Sequence, residues 1–372
     1  MGVLMVKSFK YRLHPTKKQA TLLKAHIEAC RLLYNQLVAS RVQAWQNNKV
    51  SLSCYDQQAT LPLMKQQCPD FVQVYSQVLQ QVAARVDKAF DGFFRRVKAK
   101  AGKAGFPRYK GEHRYDSITY PQFSNGCRLD DKGLRLGKIG CLRIVQHTDL
   151  EGVPKTCTIT GSATGKWYAS ISCDIGQPVP RREDRPPVGI DVGLNSFAVT
   201  SDGEHVANPR FFRKEEKNLA KAQRKWDQVK KTRSPVKEKR RKVVARVHER
   251  IRNKRHNFVH QESRKLVNRH NFIAAEDLEA QKMQKNKRLA KSIGDAAWSL
   301  FRHCLQYKAE EAGIGFKAVD PKYTSQTCSG CGKVEKKPLS QRWHECECGV
   351  SLDRDHNAAI NILTLGLQRQ VE

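Results

Sequence analysis

Four acidic residues stand where a carboxylate needs a reason. Asp191 lies between Ile190 and Val192 in an apolar strand-like run, and Glu276 closes a second such run after Ile273-Ala274-Ala275. Asp353 and Asp355 stand at the start of what reads as the last helix. An ionised carboxylate in an apolar strand is costly unless something compensates it, and acidic residues on buried strands are rare. Three carboxylates from two strands and a helix start, meeting at one edge of a sheet, would hold two Mg²⁺. One ion would activate water and the other would stabilise the leaving oxygen of a phosphodiester. The plainer reading makes each acid an independent cap or a satisfied buried group, and the recurrence of the pattern argues against it. Spacing alone leaves open whether Asp353 or Asp355 completes the set. The run Gly-Ile-Asp-Val-Gly around Asp191 is a weak signal by itself. Phosphate-binding ATPases share such a strand, but they need further Gly-rich loops, and this chain has none.

A cysteine cluster is more specific. Cys328-Ser-Gly-Cys331-Gly332 is followed by Cys346-Glu-Cys348-Gly349. Two close-set pairs, each trailed by a glycine that permits positive φ at the knuckle turn, fit a tetrahedral Cys₄ zinc site. The second pair is Cys-x-Cys rather than Cys-x-x-Cys, which keeps His344 open as a substitute ligand. No open coordination position is indicated, so the metal reads as structural. The other eight cysteines (Cys30, Cys54, Cys68, Cys127, Cys141, Cys157, Cys173 and Cys304) are scattered and read as reduced core residues.

Charge narrows the partner. The 372 residues carry 68 Lys and Arg against 36 Asp and Glu, a net +32. Residues 210–291 alone hold 28 basic against 9 acidic side chains. Self-repulsion on that scale calls for a polyanion, and nucleic acid is the usual one. A membrane surface is the other candidate, but no apolar run approaches the eighteen or so residues of a span. The N-terminal run reads as a short strand rather than a signal peptide, so the expected location is the cytoplasm, on a nucleoid. Around Arg108, Tyr109 and Lys110, rings alternate with cations (Phe106, Arg114, Tyr115 and Tyr120 extend the pattern). Such a segment suits stacked bases and phosphates, and the edge of a barrel core explains the rings equally well.

The elements that position these groups can be read from periodicity. Thr16 and Gln19 form a capping box before a helix carrying Leu22, Leu23, Ile27, Cys30, Leu33 and Leu37. A second helix is predicted from about 70 to 98, with Val78, Val82, Val86 and Phe90 on one stripe. Period-two segments at 127–129, 134–136, 141–146, 156–160 and 167–173 predict an antiparallel barrel that strand 5–13 could join. The Pro-rich stretch 176–187 reads as a linker. Beyond it, a strand pair, a basic helical region at 214–270 broken at Ser234-Pro235, and strands at 272–278 and 315–319 follow. A helix at 295–312 and a last helix at 355–366 complete an α/β core. The basic region's apolar stripe is expected at Val243, Val247, Ile251 and Phe258.

With these residues in hand, the chain resembles the TnpB family, RNA-guided nucleases of prokaryotic insertion sequences related to type V CRISPR effectors. The resemblance rests on Tyr11-Arg-Leu-His-Pro-Thr16, Val78-Leu-Gln-Gln81, Gly105-Phe-Pro-Arg-Tyr-Lys110 and Gly189-Ile-Asp-Val-Gly-Leu194. It continues through Ala275-Glu-Asp-Leu278, the Thr324-Ser325 and Cys328-x-x-Cys331-Gly332 block, and Asp353-Arg-Asp-His-Asn-Ala-Ala-Ile-Asn361. It implies a multidomain α+β protein: a wedge β-barrel (1–13 and 105–180), a helical recognition lobe (14–104) and an RNase H-like (RuvC) nuclease domain (181–323 and 351–372). The nuclease domain would be interrupted by a zinc-ribbon insert that binds target nucleic acid (324–350). It also implies a guide RNA from the element's end, a short motif beside a double-stranded DNA target, and Asp191, Glu276 and Asp355 as the magnesium-binding triad. A monomer is expected. Gln80 and Gln81 become candidates for reading the motif, because a Gln amide can pair bidentately with adenine. Two other readings share the fold: a nuclease-inactive guided repressor, which loss of a triad carboxylate would favour, and a protein-only transposase or accessory factor that binds element ends without RNA.

Overall fold

In the computed structural model, residues 5–100, 102, 104–177, 184–232, 235–338 and 340–368 are described. Half of the predicted linker (178–183), and Ser234 of the predicted helix break, lie outside them. The chain divides into two compact units at 177/178. Among the described residues no helix is long and apolar enough to cross a membrane.

The first unit opens with β1 (Val6–His14) and α1 (Lys17–Asn48). Thr16 Oγ1 accepts the Gln19 N–H, and the Gln19 side chain accepts the Thr16 N–H, which starts α1 as expected. Three short helices follow, α2 (Cys54–Ala59), α3 (Leu61–Gln67) and α4 (Pro69–Val72), and then α5 (Ser76–Lys98). The single helix predicted from residue 70 is therefore split. Tyr75 is extended at the break, its hydroxyl donates to Asn125 Oδ1 at 2.7 Å, and its ring fills the space beside Gly126 and Gly137. That packing overrides the helical pattern.

Six more strands complete a seven-stranded antiparallel sheet: β2 (Ser117–Tyr120), β3 (Cys127–Asp130), β4 (Gly133–Leu136), β5 (Gly140–Val145), β6 (Val153–Gly161) and β7 (Trp167–Asp174). Their order is β2-β6-β7-β1-β5-β4-β3, a nearly closed barrel with β1 at its centre. β1 holds that place by pairing with β7 from Val6↔Asp174 to Leu13↔Trp167 and with β5 at Arg12↔Val145. Helices and barrel share one core, in which Leu23, Leu33 and Val82 join Tyr11, Leu13 and Ile159.

The second unit is an RNase H-like α/β domain. Its sheet contains β8 (Pro187–Asp191), β9 (Ser196–Thr200), β10 (His205–Ala207), β11 (Phe272–Glu276) and β12 (Gly315–Val319), in the order β10-β9-β8-β11-β12. The first three strands are antiparallel neighbours, and β8-β11-β12 run parallel. Between β10 and β11 lie the basic helices α6 (Phe211–Asp227) and α7 (Val236–Arg269). After β11 come α8 (Ala280–Met283), α9 (Ala290–Ala296) and α10 (Trp298–Glu311). The helix predicted at 295–312 thus breaks at Ala297, which sits at φ 57°. The stripe of α7 is shifted from the one expected: Val244, Ile251, Val259 and Leu266 are buried, and Val243 is exposed.

Side chains of β11 alternate between two cores. Ile273 and Ala275 pack with Val259, Leu266, Phe301 and Leu305 from α7 and α10. Phe272 and Ala274 pack with Ile362 of the last helix, α11 (Arg354–Gln368). Both faces of the sheet are covered, so β8 and β11 are apolar throughout except at their last residues. Those residues are Asp191 and Glu276.

Candidate functional site: an acidic cluster beside a four-cysteine knuckle

The parallel register of β8 and β11 places Ile190 opposite Ala275. One residue further on, the strands end on Asp191 and Glu276 side by side. The third acid arrives on α11, which can approach because β8 has no side chain at its contact point. A Cβ on Gly189 would lie 2.1 Å from Ala359 O and 2.7 Å from Leu363 N. Gly366 repeats the device further along the helix, where a Cβ would fall 2.6 Å from that of Ala274. The glycine before Asp191, which as a motif said little, is a seat for α11.

The two C-terminal aspartates differ in what they do. Asp353 ends β14 (Ser351–Asp353), the second strand of a small hairpin with β13 (Trp343–Glu345). Its Oδ1 accepts the backbone N–H groups of Asp355 at 2.9 Å and His356 at 3.2 Å, capping α11. Asp355 sits inside the first turn, with Arg342 Nη1 3.8 Å from its Oδ1. Its Oδ2 lies 3.9 Å from where a Cβ on Gly193 would stand, just past β8. Asp277, next to Glu276, turns to an ion pair with Arg302.

The carboxylates of Asp191, Glu276 and Asp355 feel one another. Asp191 keeps a partly open face but lies deep beneath its neighbours. That burial pushes its carboxyl well above the usual range, and the charges of Glu276 and Asp355 push it further. Burial also raises Glu276; Thr324 opposes the shift and Asp355 adds to it. Asp355 is raised by burial and then by Asp353, against Arg342 and Arg354. Like charges gathered in a poorly solvated place favour a bound cation. Their oxygens are spread more widely than the sulfurs described next, which alone among the described residues bring three or more metal-binding atoms within 4.8 Å of one another.

Cys328, Cys331, Cys346 and Cys348 form that tight group. Cys328 Sγ is 3.5 Å from Cys348 Sγ, and Cys331 Sγ is 3.6 Å from Cys346 Sγ. Tetrahedral zinc with bonds of about 2.3 Å would set its sulfurs roughly 3.8 Å apart. Gly332 and Gly349 hold φ of 75° and 90°, the conformation expected at the knuckles. Burial resists ionisation of Cys328, yet the Cys331 N–H, His344 and the Gly330 N–H hold its thiol down at about 5. Cys348, helped by the Val350 N–H, is nevertheless pushed up to about 12 by the sulfurs of Cys328, Cys346 and Cys331. Four thiolates here need a cation, and the set fits one. His344 is outside the four-atom group; it is buried, with Nδ1 3.0 Å from Lys337 Nζ.

Between knuckle and acids runs a set of hydrogen bonds that spacing did not expose. Thr324 Oγ1 donates to Glu276 Oε1 at 2.6 Å. On α11, Asn361 Nδ2 donates to the carbonyls of Thr324 and Thr327, and Asn357 bonds Thr327 O and the Ser329 N–H. Arg354, buried on the same helix, donates to Ser325 Oγ and Pro338 O. Residues 354, 357 and 361 share a helix face, a polar stripe visible in the sequence and unread there.

Candidates in the first unit lie on α5 and in the segment before β2. Gln80 is exposed and Gln81 half-buried on α5. Arg108 and Tyr109 are exposed; Lys110 is half-buried, its backbone stapled to Asn35 and Arg31 of α1. The neighbouring rings mostly belong to the core. Tyr115 and Tyr120 are buried, and Phe106 packs 5.0 Å from the Phe93 ring. Tyr109 is the most exposed of these rings, and Phe106 keeps part of its ring open as well.

Comparison with known proteins gives this geometry a family. Residues 170–287 match a family described as "Probable transposase", residues 298–362 one described as "Cas12f1-like, TNB domain", and residues 1–49 a "Helix-turn-helix domain". Residues 5–49 here form β1 and the single helix α1. A protein of Streptomyces pristinaespiralis named "Putative RNA-guided DNA endonuclease" is 34% identical across 97% of this chain and 89% of its own length. The chain belongs to the TnpB family. InsQ of Escherichia coli (strain K12), which carries the same description, is 30% identical across 97% of this chain and 92% of its own. The fold is also that of a Cas12f1 solved with sgRNA and target DNA. That likeness has a TM-score of 0.58 at 12% identity and covers 96% of this chain and 98% of the other.

Proposed function

We propose that this TnpB-family chain is an RNA-guided DNA endonuclease that cuts double-stranded DNA beside a short target-adjacent motif. One arrangement carries the reading: parallel β8 and β11 end side by side on Asp191 and Glu276, and Gly189 seats against β8 the helix whose first turn carries Asp355. These three residues would hold two Mg²⁺, which supply a nucleophilic water and stabilise the leaving oxygen when bound. The chain's own work is placement. The paired strands fix two carboxylates, Gly189 admits the helix that brings the third, and Asp353 stays on its cap. Cys328, Cys331, Cys346 and Cys348 would hold a structural zinc that folds the ribbon.

The guide is an RNA, on this reading, derived from the end of the element that encodes the protein. The basic helices α6 and α7 supply cations for a phosphate backbone. Gln80 and Gln81 would contribute to reading the motif, and Arg108, Tyr109 and Lys110 to holding nucleic acid. The full-length relatives named as RNA-guided DNA endonucleases support the assignment. The test is purification with its bound nucleic acid, followed by RNase digestion. A discrete RNA whose removal abolishes site-specific cleavage is the expected outcome. Guide-independent, site-specific cutting or end binding by RNA-free protein would favour a protein-only transposase factor instead.

A further inference from the structure

We propose that Thr324 is a positioning residue for the acidic cluster, the link through which the first cysteine knuckle fixes the carboxylate of Glu276. The inference rests on the reading of that cluster as a magnesium site. Thr324 is buried at 3% exposure, and its hydroxyl meets Glu276 Oε1 at 2.6 Å, the length of a charge-assisted O–H···O⁻ bond. Glu276 is the last residue of its strand, so β11 fixes its Cα but leaves three side-chain torsions to set the carboxylate. The hydroxyl removes that freedom.

Thr324 is itself held from two sides. Its carbonyl accepts from Asn361 at 2.9 Å, and three residues on, Thr327 O accepts from Asn361 at 2.7 Å and Asn357 at 2.8 Å. The next residue, Cys328, is a predicted zinc ligand, and the Ser329 N–H returns to Asn357 Oδ1 at 2.9 Å. Asn357 and Asn361 ride on the helix whose first turn carries Asp355. Knuckle, Glu276 and Asp355 are therefore tied into one hydrogen-bonded body. A ligating carboxylate is oriented by its outer hydrogen bonds, and losing such a partner commonly costs about 10–100-fold in metal affinity or activity.

The experiment compares guide-bound wild type, Thr324→Val and Thr324→Ser. Valine keeps the shape and deletes the hydroxyl; serine keeps the hydroxyl. Three quantities are read: zinc content, Mn²⁺ binding by electron paramagnetic resonance, and cleavage of a matched plasmid across a Mg²⁺ titration. Thr324→Val is expected to retain zinc, bind Mn²⁺ more weakly and need about 10–100-fold more Mg²⁺ for half-maximal cutting, while Thr324→Ser stays close to wild type. An unchanged Mg²⁺ requirement in Thr324→Val overturns the proposal, and so does equal impairment in Thr324→Ser. Loss of zinc in Thr324→Val would assign the residue to the ribbon's folding instead. Wild type that neither binds Mn²⁺ nor cuts would refute the reading of the cluster itself, a result distinct from failure of the variants.

Discussion

Gly189→Ala is a one-methyl test of how the acidic cluster is assembled. The added Cβ would stand 2.1 Å from Ala359 O and 2.7 Å from Leu363 N. Relief to an ordinary contact of about 3.5 Å requires α11 to retreat from β8 by about 1.4 Å. Backbone atoms on both sides make local give small, so the helix must move or the strand must buckle. Such overpacking costs about 1–3 kcal/mol, or roughly 2–4 °C in melting temperature per kcal/mol for a unit of this size. Asp355 is one turn from Ala359 on the same rigid helix and would share the displacement. A misplacement of about 1 Å at a reacting centre can cost on the order of 100-fold in rate. The assay is plasmid cleavage by guide-bound protein, with thermal unfolding and guided DNA binding measured beside it. Gly294→Ala in α9, where the nearest other atom to a Cβ is Gln284 Nε2 at 3.8 Å, is the control and should cut normally. Wild-type cleavage by Gly189→Ala would show that close seating of α11 does not set the cluster.

Four further outcomes are expected. Asp355→Ala should abolish cleavage and keep guided binding, whereas Asp353→Ala should lose about 1 kcal/mol of cap stability and keep partial activity; parallel cleavage, binding and melting curves would expose a reversed assignment. Cys328→Ser should release bound zinc and unfold the ribbon, read by metal analysis against a wild type holding about one equivalent. Asp191 titrates above its unfolded value, so the metal-free fold gives up stability as pH rises from that value through the raised one. Asp191→Asn should therefore melt higher than wild type in Mg²⁺-free buffer without chelator, zinc still bound, at neutral pH, with the gain vanishing below about pH 4, and an unchanged or lower melting temperature at pH 7 would contradict this. Alanine at both Gln80 and Gln81 should relax the preference for the target-adjacent motif, as measured by cleavage of a randomised-motif library.

Much of the site was legible because its signals are local. A carboxylate at the end of an apolar strand and paired cysteines trailed by glycine each declare themselves within a few residues. The strand predicted at 272–278, which ends two residues earlier at Glu276, the strand at 315–319 and the capping box at Thr16 were readable for the same reason. What the sequence hid is what tertiary contact decides. Tyr75 splits a periodic helix because its ring is needed beside Gly126 and Gly137. Ala297 breaks another helix by taking a left-handed backbone conformation that an alanine does not announce. Strand β2 went unread among aromatic residues that suited a binding segment and a barrel-core edge equally, and Tyr115 and Tyr120 fall on the core side. Thr324 and Gly189 were visible as letters in motifs. Their roles needed a partner 48 residues away in one case and a helix from the far end of the chain in the other.

On the proposed function, guide-directed cutting is done by Asp191, Glu276 and Asp355. Its most direct test is cleavage of a plasmid matched to the co-purified RNA, in Mg²⁺, by wild type and by each single alanine variant, with binding to the same DNA followed in parallel. Wild type should cut both strands, and all three variants should bind the matched plasmid and leave it intact. Full cleavage by any one of the three variants, or RNA-independent cutting by wild type, would contradict the account.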